Sequence, residues 1–112
     1  MSAFFKWKKV ADATVTAGDN VEYTWKSDDN YTLKRIFIIN KDGGTLWKTP
    51  VTITIEQWTL TDDKVPAEFF NKPLNQSYEF DIPITLNKEI KFALTNNEGS
   101  DISIMILLEL WK

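Results

Sequence analysis

At 112 residues the chain fits a single domain, residues 1–112, with 43% hydrophobic and 26% charged residues, a net charge of −3, and neither cysteine nor histidine. Lack of cysteine excludes disulfides, thiolate metal sites and thiol nucleophiles. Lack of histidine excludes the commonest general base and the commonest transition-metal ligand. Carboxylate chemistry, oxygen-ligated metals or a non-catalytic role remain.

The segment Phe4–Val10 reads as a first strand. Before it, Met1-Ser2-Ala3-Phe4-Phe5 places bulky residues ahead of Lys6, Lys8 and Lys9 with no apolar stretch behind them. This is not the pattern of a secretory signal, so synthesis and folding in a cytoplasm are expected. Alternation of aromatics with lysines here has a local nucleic-acid-like look. On an acidic chain the preferred reading is a solvated strand face carrying Lys6 and Lys8, and no nucleic-acid partner is expected.

A short strand, Thr14–Thr16, ends in the turn Ala17-Gly18-Asp19-Asn20. Val21, Tyr23 and Trp25 then alternate with Glu22, Thr24 and Lys26, a half-buried strand with Trp25 inward. Ser27-Asp28-Asp29-Asn30 turns the chain into Leu33–Ile39, apolar on both faces near its end and therefore placed centrally in a sheet. Asn40-Lys41-Asp42-Gly43-Gly44 has glycines for positive φ, and Val51, Ile53 and Ile55 alternate with Thr52, Thr54 and Glu56 in the next strand. The connection Asp62–Ser77 holds one helical turn at most, Pro66–Phe70. Tyr78–Ile84, Ile90–Thr95 and, after the turn Asn96–Asp101, Ile102–Trp111 complete the series.

Isoleucine, valine and threonine make up a quarter of the chain and aromatics another 13%, the residue types that suit a pleated, half-buried surface. About eight strands with turns every 8–12 residues predict an all-β antiparallel sandwich. The long connection between Leu60 and Tyr78 fits a crossover between two sheets, so the sandwich is expected to be jelly-roll-like. The apolar run Ile102–Leu108 ends at Glu109 and falls short of the roughly 20 residues that span a bilayer, so no membrane span is expected.

Enzyme signatures are missing: no G-x-G-x-x-G, no P-loop, no G-x-S-x-G. Acidic residues gather in turns (Asp28-Asp29, Asp62-Asp63, Glu98 and Asp101), where such side chains bond nearby amides. Glu22, Glu56 and Glu79 fall on polar strand faces. The expectation is a non-enzyme with no catalytic residues, no cofactor and no metal ligands. Oxygen donors at Asp28-Asp29-Asn30, Asp42 and Asp62-Asp63 do not form the D-x-D-x-D-G loop of a calcium site. The sequons Asn30-Tyr31-Thr32 and Asn75-Gln76-Ser77 are expected to be incidental, since no secretion signal is read at the start.

Five tryptophans remain to be placed. Trp25 goes to the core, and Trp7 shares a face with Phe5. Trp58 has the parity of Thr52, Thr54 and Glu56; Trp47 lies in a loop-like context near Gly43-Gly44; Trp111 is in step with Met105 and Leu107. From Ile102 to Leu110 both parities are apolar, although a sandwich strand needs only one buried face. The second face calls for a cover, either a subunit contact or the folded-back segment with Phe4, Phe5 and Trp7. Trp47, Trp58, Met105, Leu107 and Trp111 are the candidate contact residues. A protein neighbour is favoured as their partner, and the alternative is a glycan bound by exposed tryptophans in a carbohydrate-binding module.

The C-terminal third carries a resemblance. Tyr78-Glu79-Phe80-Asp81-Ile82-Pro83-Ile84-Thr85-Leu86 leads into Lys88–Asn97, and Gly99-Ser100-Asp101 leads into an apolar strand ending Glu109-Leu110-Trp111. This pattern resembles the closing strands of virus-type single jelly-roll virion proteins. The resemblance implies a homo-oligomeric structural or attachment role, as a minor capsid, vertex or spike-base component beside other structural proteins. It brings no catalytic residues.

Overall fold

The structure, a computed structural model, describes residues 5–61 and 64–112. Phe4, assigned above to the first strand, and the turn pair Asp62-Asp63 lie outside the described residues. Nine strands occur among the described residues: β1 (Phe5–Val15), β2 (Asn20–Lys26), β3 (Tyr31–Asn40), β4 (Pro50–Ile55), β5 (Trp58–Thr59), β6 (Val65–Pro66), β7 (Ile82–Ile84), β8 (Glu89–Thr95) and β9 (Ile102–Trp111). Two 3-10 turns, Ala67–Phe70 and Leu74–Gln76, interrupt the crossover, and the first is the helical turn expected after Pro66.

All pairings are antiparallel and fall into two sheets, ordered β1-β9-β3-β7 and β2-β8-β4-β5. β6 pairs with Pro50 and Val51 on β4, while β5 pairs with Thr54 and Ile55, so the two are segments of one interrupted edge strand. Nearly every connection carries the chain from one sheet to the other, and the first strand pairs with the last. That is the connectivity of a jelly roll.

Period-2 alternation explains why these residues form these sheets. Ile102, Ile104, Ile106, Leu108 and Leu110 of β9 point inward with Leu33, Ile36 and Ile38 of β3. They meet Trp25, Ile90, Phe92, Leu94, Val51, Ile53 and Ile55 from the other sheet. Asn96 closes the end of this core: its buried amide donates to the carbonyls of Val15 (2.9 Å) and Ser100 (2.8 Å) and accepts from the N–H of Glu98 (3.0 Å).

Three expectations need correction. The described part of the expected first strand, residues 5–10, and Thr14-Val15 of the expected second belong to one strand, β1, whose register on β9 shifts between Lys9 and Ala11. This bulge reverses the parity of the strand's first half, so Lys6 and Lys8 take the inward side, opposite Leu110 and Leu108. Phe5 and Trp7 take the solvent side. Lys6 thus sits over the Tyr31 ring at 5.0 Å rather than on a solvated face. The third concerns Tyr78–Ile84, which is strand only at Ile82–Ile84. Pro83 has no N–H to donate, which confines this segment to the sheet edge beside Tyr31–Leu33. Upstream, Phe80 reaches β3 through a single bond from its N–H to the Lys34 carbonyl (2.6 Å).

Candidate functional site

The outer faces of the two sheets differ in chemistry. On the five-stranded sheet the outward residues are Glu22, Thr24 and Lys26 of β2, Glu89 and Lys91 of β8, and Thr52 and Thr54 of β4. On the four-stranded sheet they are Phe5, Trp7, Lys9, Asp12 and Thr14 of β1, Ser103, Met105, Leu107, Glu109 and Trp111 of β9, and Arg35, Phe37 and Ile39 of β3. The first is an ordinary solvated surface. The second carries a run of aromatic and aliphatic side chains from Phe5 and Trp111 to Ile39, beside a polar end at Asp12, Thr14 and Ser103.

Aromatic rings run across that second face. Phe5 stacks on Trp111 with centroids 5.0 Å apart, meets Trp7 edge-on at 6.1 Å, and Trp7 lies 5.6 Å from Phe37. Phe5 and Trp7 remain 44% and 45% exposed, so they cover the β9 face without being covered themselves. Beyond Trp7 the surface dips into a groove of about 430 Å³ lined by Trp7, Phe37, Ile39, Leu107 and, on its far wall, Lys72-Pro73-Leu74. The crossover supplies that wall because Asn71 binds it to β3, its Oδ1 accepting from the Asn40 N–H at 3.2 Å.

One charge is buried within this face. Glu109, 3% exposed, lies between Trp7 and Arg35 in register and accepts from an Arg35 guanidinium nitrogen (2.9 Å) and the Trp111 indole N–H (2.7 Å). A second guanidinium nitrogen of Arg35 reaches Glu79 at 2.9 Å, tying the crossover to β3. Sequence inspection misses this pair because its members are 74 residues apart. The lone charge in an otherwise apolar strand was the available signal.

Of the five candidate contact residues, Met105, Leu107 and Trp111 share this face, all half-buried. Trp111 is less open than expected, since Phe5 occupies one side of its ring. Trp47, 53% exposed, stands on the loop before β4, edge-on to Phe69 at 6.0 Å and beneath Lys72 at 5.7 Å. Trp58, 54% exposed, is at the opposite end of β4, opposite Ile55 across a two-residue turn in which Glu56 has φ 54°. The structure therefore groups three of the five and leaves Trp47 and Trp58 apart from them and from each other. Phe5, Trp7, Phe37 and Leu74 are the face residues that the candidate set lacks.

Carboxylates have structural employment. Glu68 accepts from the Leu46 N–H (2.6 Å), Glu98 from the Lys48 N–H and Thr49 hydroxyl (both 2.8 Å), Glu56 from the Glu89 N–H (2.9 Å) and Asp101 from the Ala17 N–H (3.0 Å). No group of three or more acidic side chains able to hold a metal occurs among the described residues. No helix is long and apolar enough to cross a membrane among them.

The acidic turn between β2 and β3 holds the start of β1 and the end of β9 at one end of the four-stranded sheet. Asp28 accepts from the Tyr31 hydroxyl (2.8 Å) and pairs with Lys6 at 3.6 Å, while Asp29 pairs with Lys112. The Tyr31 hydroxyl, then Lys6, lowers the Asp28 pKa; the Lys112 ammonium and the Asn30 N–H lower that of Asp29. A carboxyl with a lowered folded-state pKa stabilises the fold above its unfolded value of about 3.9 and loses that contribution as pH falls below it. Urea titrations should therefore show stability dropping as pH falls below about 4, and Asp28→Asn should flatten that dependence. An unchanged acid limb in the variant would remove Asp28 from the account.

Neither protein-family models, curated proteins nor solved structures provide a match to this chain.

Proposed function

We propose that this protein is a non-enzymatic structural or attachment module that self-associates through the outer face of its four-stranded sheet. The observation carrying this reading is a contiguous run of aromatic and aliphatic side chains over part of the four-stranded sheet's outer face, where the five-stranded sheet presents threonine, lysine and glutamate. Exposed rings beside an apolar groove are the usual composition of an interface centre, where tryptophan is over-represented among energetically dominant residues. Jelly rolls serve in viral shells and in lectins alike, so the fold is compatible with a virion component without choosing it. The choice rests on the surface and on the resemblance in the closing strands.

Sedimentation velocity across a concentration series tests the proposal. The native chain is expected to move from monomer to dimer or larger species. Trp7→Gln and Leu74→Gln, both at exposed positions, should each weaken association at least about tenfold while leaving the fold intact. A native chain that stays monomeric over the whole accessible range would overturn self-association.

A further inference from the structure

A second surface, separate from the apolar face, surrounds Trp47. The loop that carries this residue is pinned from several sides. The Lys48 N–H and Thr49 hydroxyl donate to Glu98, the Asn97 N–H donates to the Lys48 carbonyl (3.2 Å), and the Ala67 N–H donates to the Thr49 carbonyl (2.8 Å). The indole is braced by Phe69 and Lys72, neither of which lines the adjoining cavity. That cavity measures about 370 Å³, within the range of small-molecule sites. Its lining includes Trp47, Lys48, Lys64 and Asn97, with Pro50 and Pro66 among its apolar wall residues.

The charges around it are distinctive. Among the described residues most lysines are tied to carboxylates: Lys6, Lys9, Lys34, Lys41, Lys72, Lys91 and Lys112. Lys8, Lys26, Lys48, Lys64 and Lys88 form no such pair, and of these Lys48 and Lys64, both exposed, line this one cavity beside an exposed indole. Among the described residues Glu98, which holds this loop, is already engaged by backbone and hydroxyl donors.

We propose that the cavity beside Trp47 binds an acidic saccharide, a pyranose bearing a carboxylate such as a uronic or sialic acid. The apolar face of the sugar ring stacks on the indole, the carboxylate is held by Lys48 and Lys64, and the Asn97 amide serves a ring hydroxyl. Two unpaired cations on a chain of net charge −3 select an anionic ligand, and the small volume with a single aromatic platform selects one ring over an extended chain. None of the side chains proposed to hold the sugar lines the apolar groove; the link between the two surfaces is Lys72, which braces the indole and also lines that groove.

The test is a tryptophan-fluorescence and amide-NMR titration of the full chain with methyl glucuronide and N-acetylneuraminic acid. Methyl glucoside, inorganic phosphate and a poly-glutamate peptide serve as comparisons. An acidic sugar is expected to shift the Trp47 indole and the Lys48, Lys64 and Asn97 amides. Methyl glucoside should bind at least about tenfold more weakly. The double variant Lys48→Gln/Lys64→Gln, altered only at exposed positions, should lose the acidic sugar by a similar factor, and Trp47→Ala should abolish its binding. No response to either acidic sugar would overturn the proposal. So would an equal response to methyl glucoside, phosphate or poly-glutamate, or unaltered sugar binding by the lysine double variant.

Discussion

Replacing Arg35 with Met should destabilise the fold by about 3 kcal/mol, far more than removal of a surface ion pair. The reason is its partner. Glu109 is nearly inaccessible on a strand with aliphatic neighbours, and without the guanidinium its charge keeps only the Trp111 indole N–H. An ionised carboxylate stranded in such surroundings costs several kcal/mol, whereas the bond from Arg35 to exposed Glu79 contributes little by itself. The double variant Arg35→Met/Glu109→Gln should recover at least half of the loss, because a neutral amide oxygen still accepts from Trp111 and no charge is left unpaired. Urea denaturation of the single and double variants closes the cycle. A cost below about 1 kcal/mol for Arg35→Met would mean that the pair behaves like a surface bridge.

Much of the sandwich is legible in the sequence because its strands alternate cleanly. Val21, Tyr23 and Trp25 face inward as their spacing predicts, and Ile102 to Leu110 supply one buried row. The apolar second row of β9 meets a partial cover from the chain itself, Phe5 stacked on Trp111. Other features leave no local trace. The β1 bulge has no glycine or proline to mark it, yet it decides that Phe5 and Trp7 face solvent while Lys6 and Lys8 turn inward. Trp58 owes its position to a turn at Glu56-Gln57, residues that carry no turn preference. Leu74 joins the candidate face, and Phe69 meets Trp47, only because the crossover folds back on β3 and the loop before β4. Local pattern specifies strands and their faces; the assembly of a site from distant segments is set by tertiary packing.

The other large effect is expected at Phe92, whose replacement by Ala should cost about 3–5 kcal/mol. Phe92 is wholly buried at the middle of β8, with Tyr23 and Ile53 as its cross-strand neighbours. Removing its ring from a core packed by two sheets leaves a cavity that strands bonded on both edges cannot collapse to fill. Domains of this size have only about 5–15 kcal/mol of net stability, so roughly a fifth or more of it would go, with the urea midpoint falling and the slope unchanged. Phe92→Leu retains much of the volume and should cost considerably less. Association supplies the contrast with the outer face. Trp7→Gln, at a ring already 45% exposed, should shift stability by less than about 1 kcal/mol yet weaken self-association, whereas Phe92→Ala measured where it is still folded should associate like the native chain. If Trp7→Gln instead cost as much stability as Phe92→Ala, the aromatic run would be a second core rather than a contact surface. The proposed interface would then have to be sought elsewhere on the molecule.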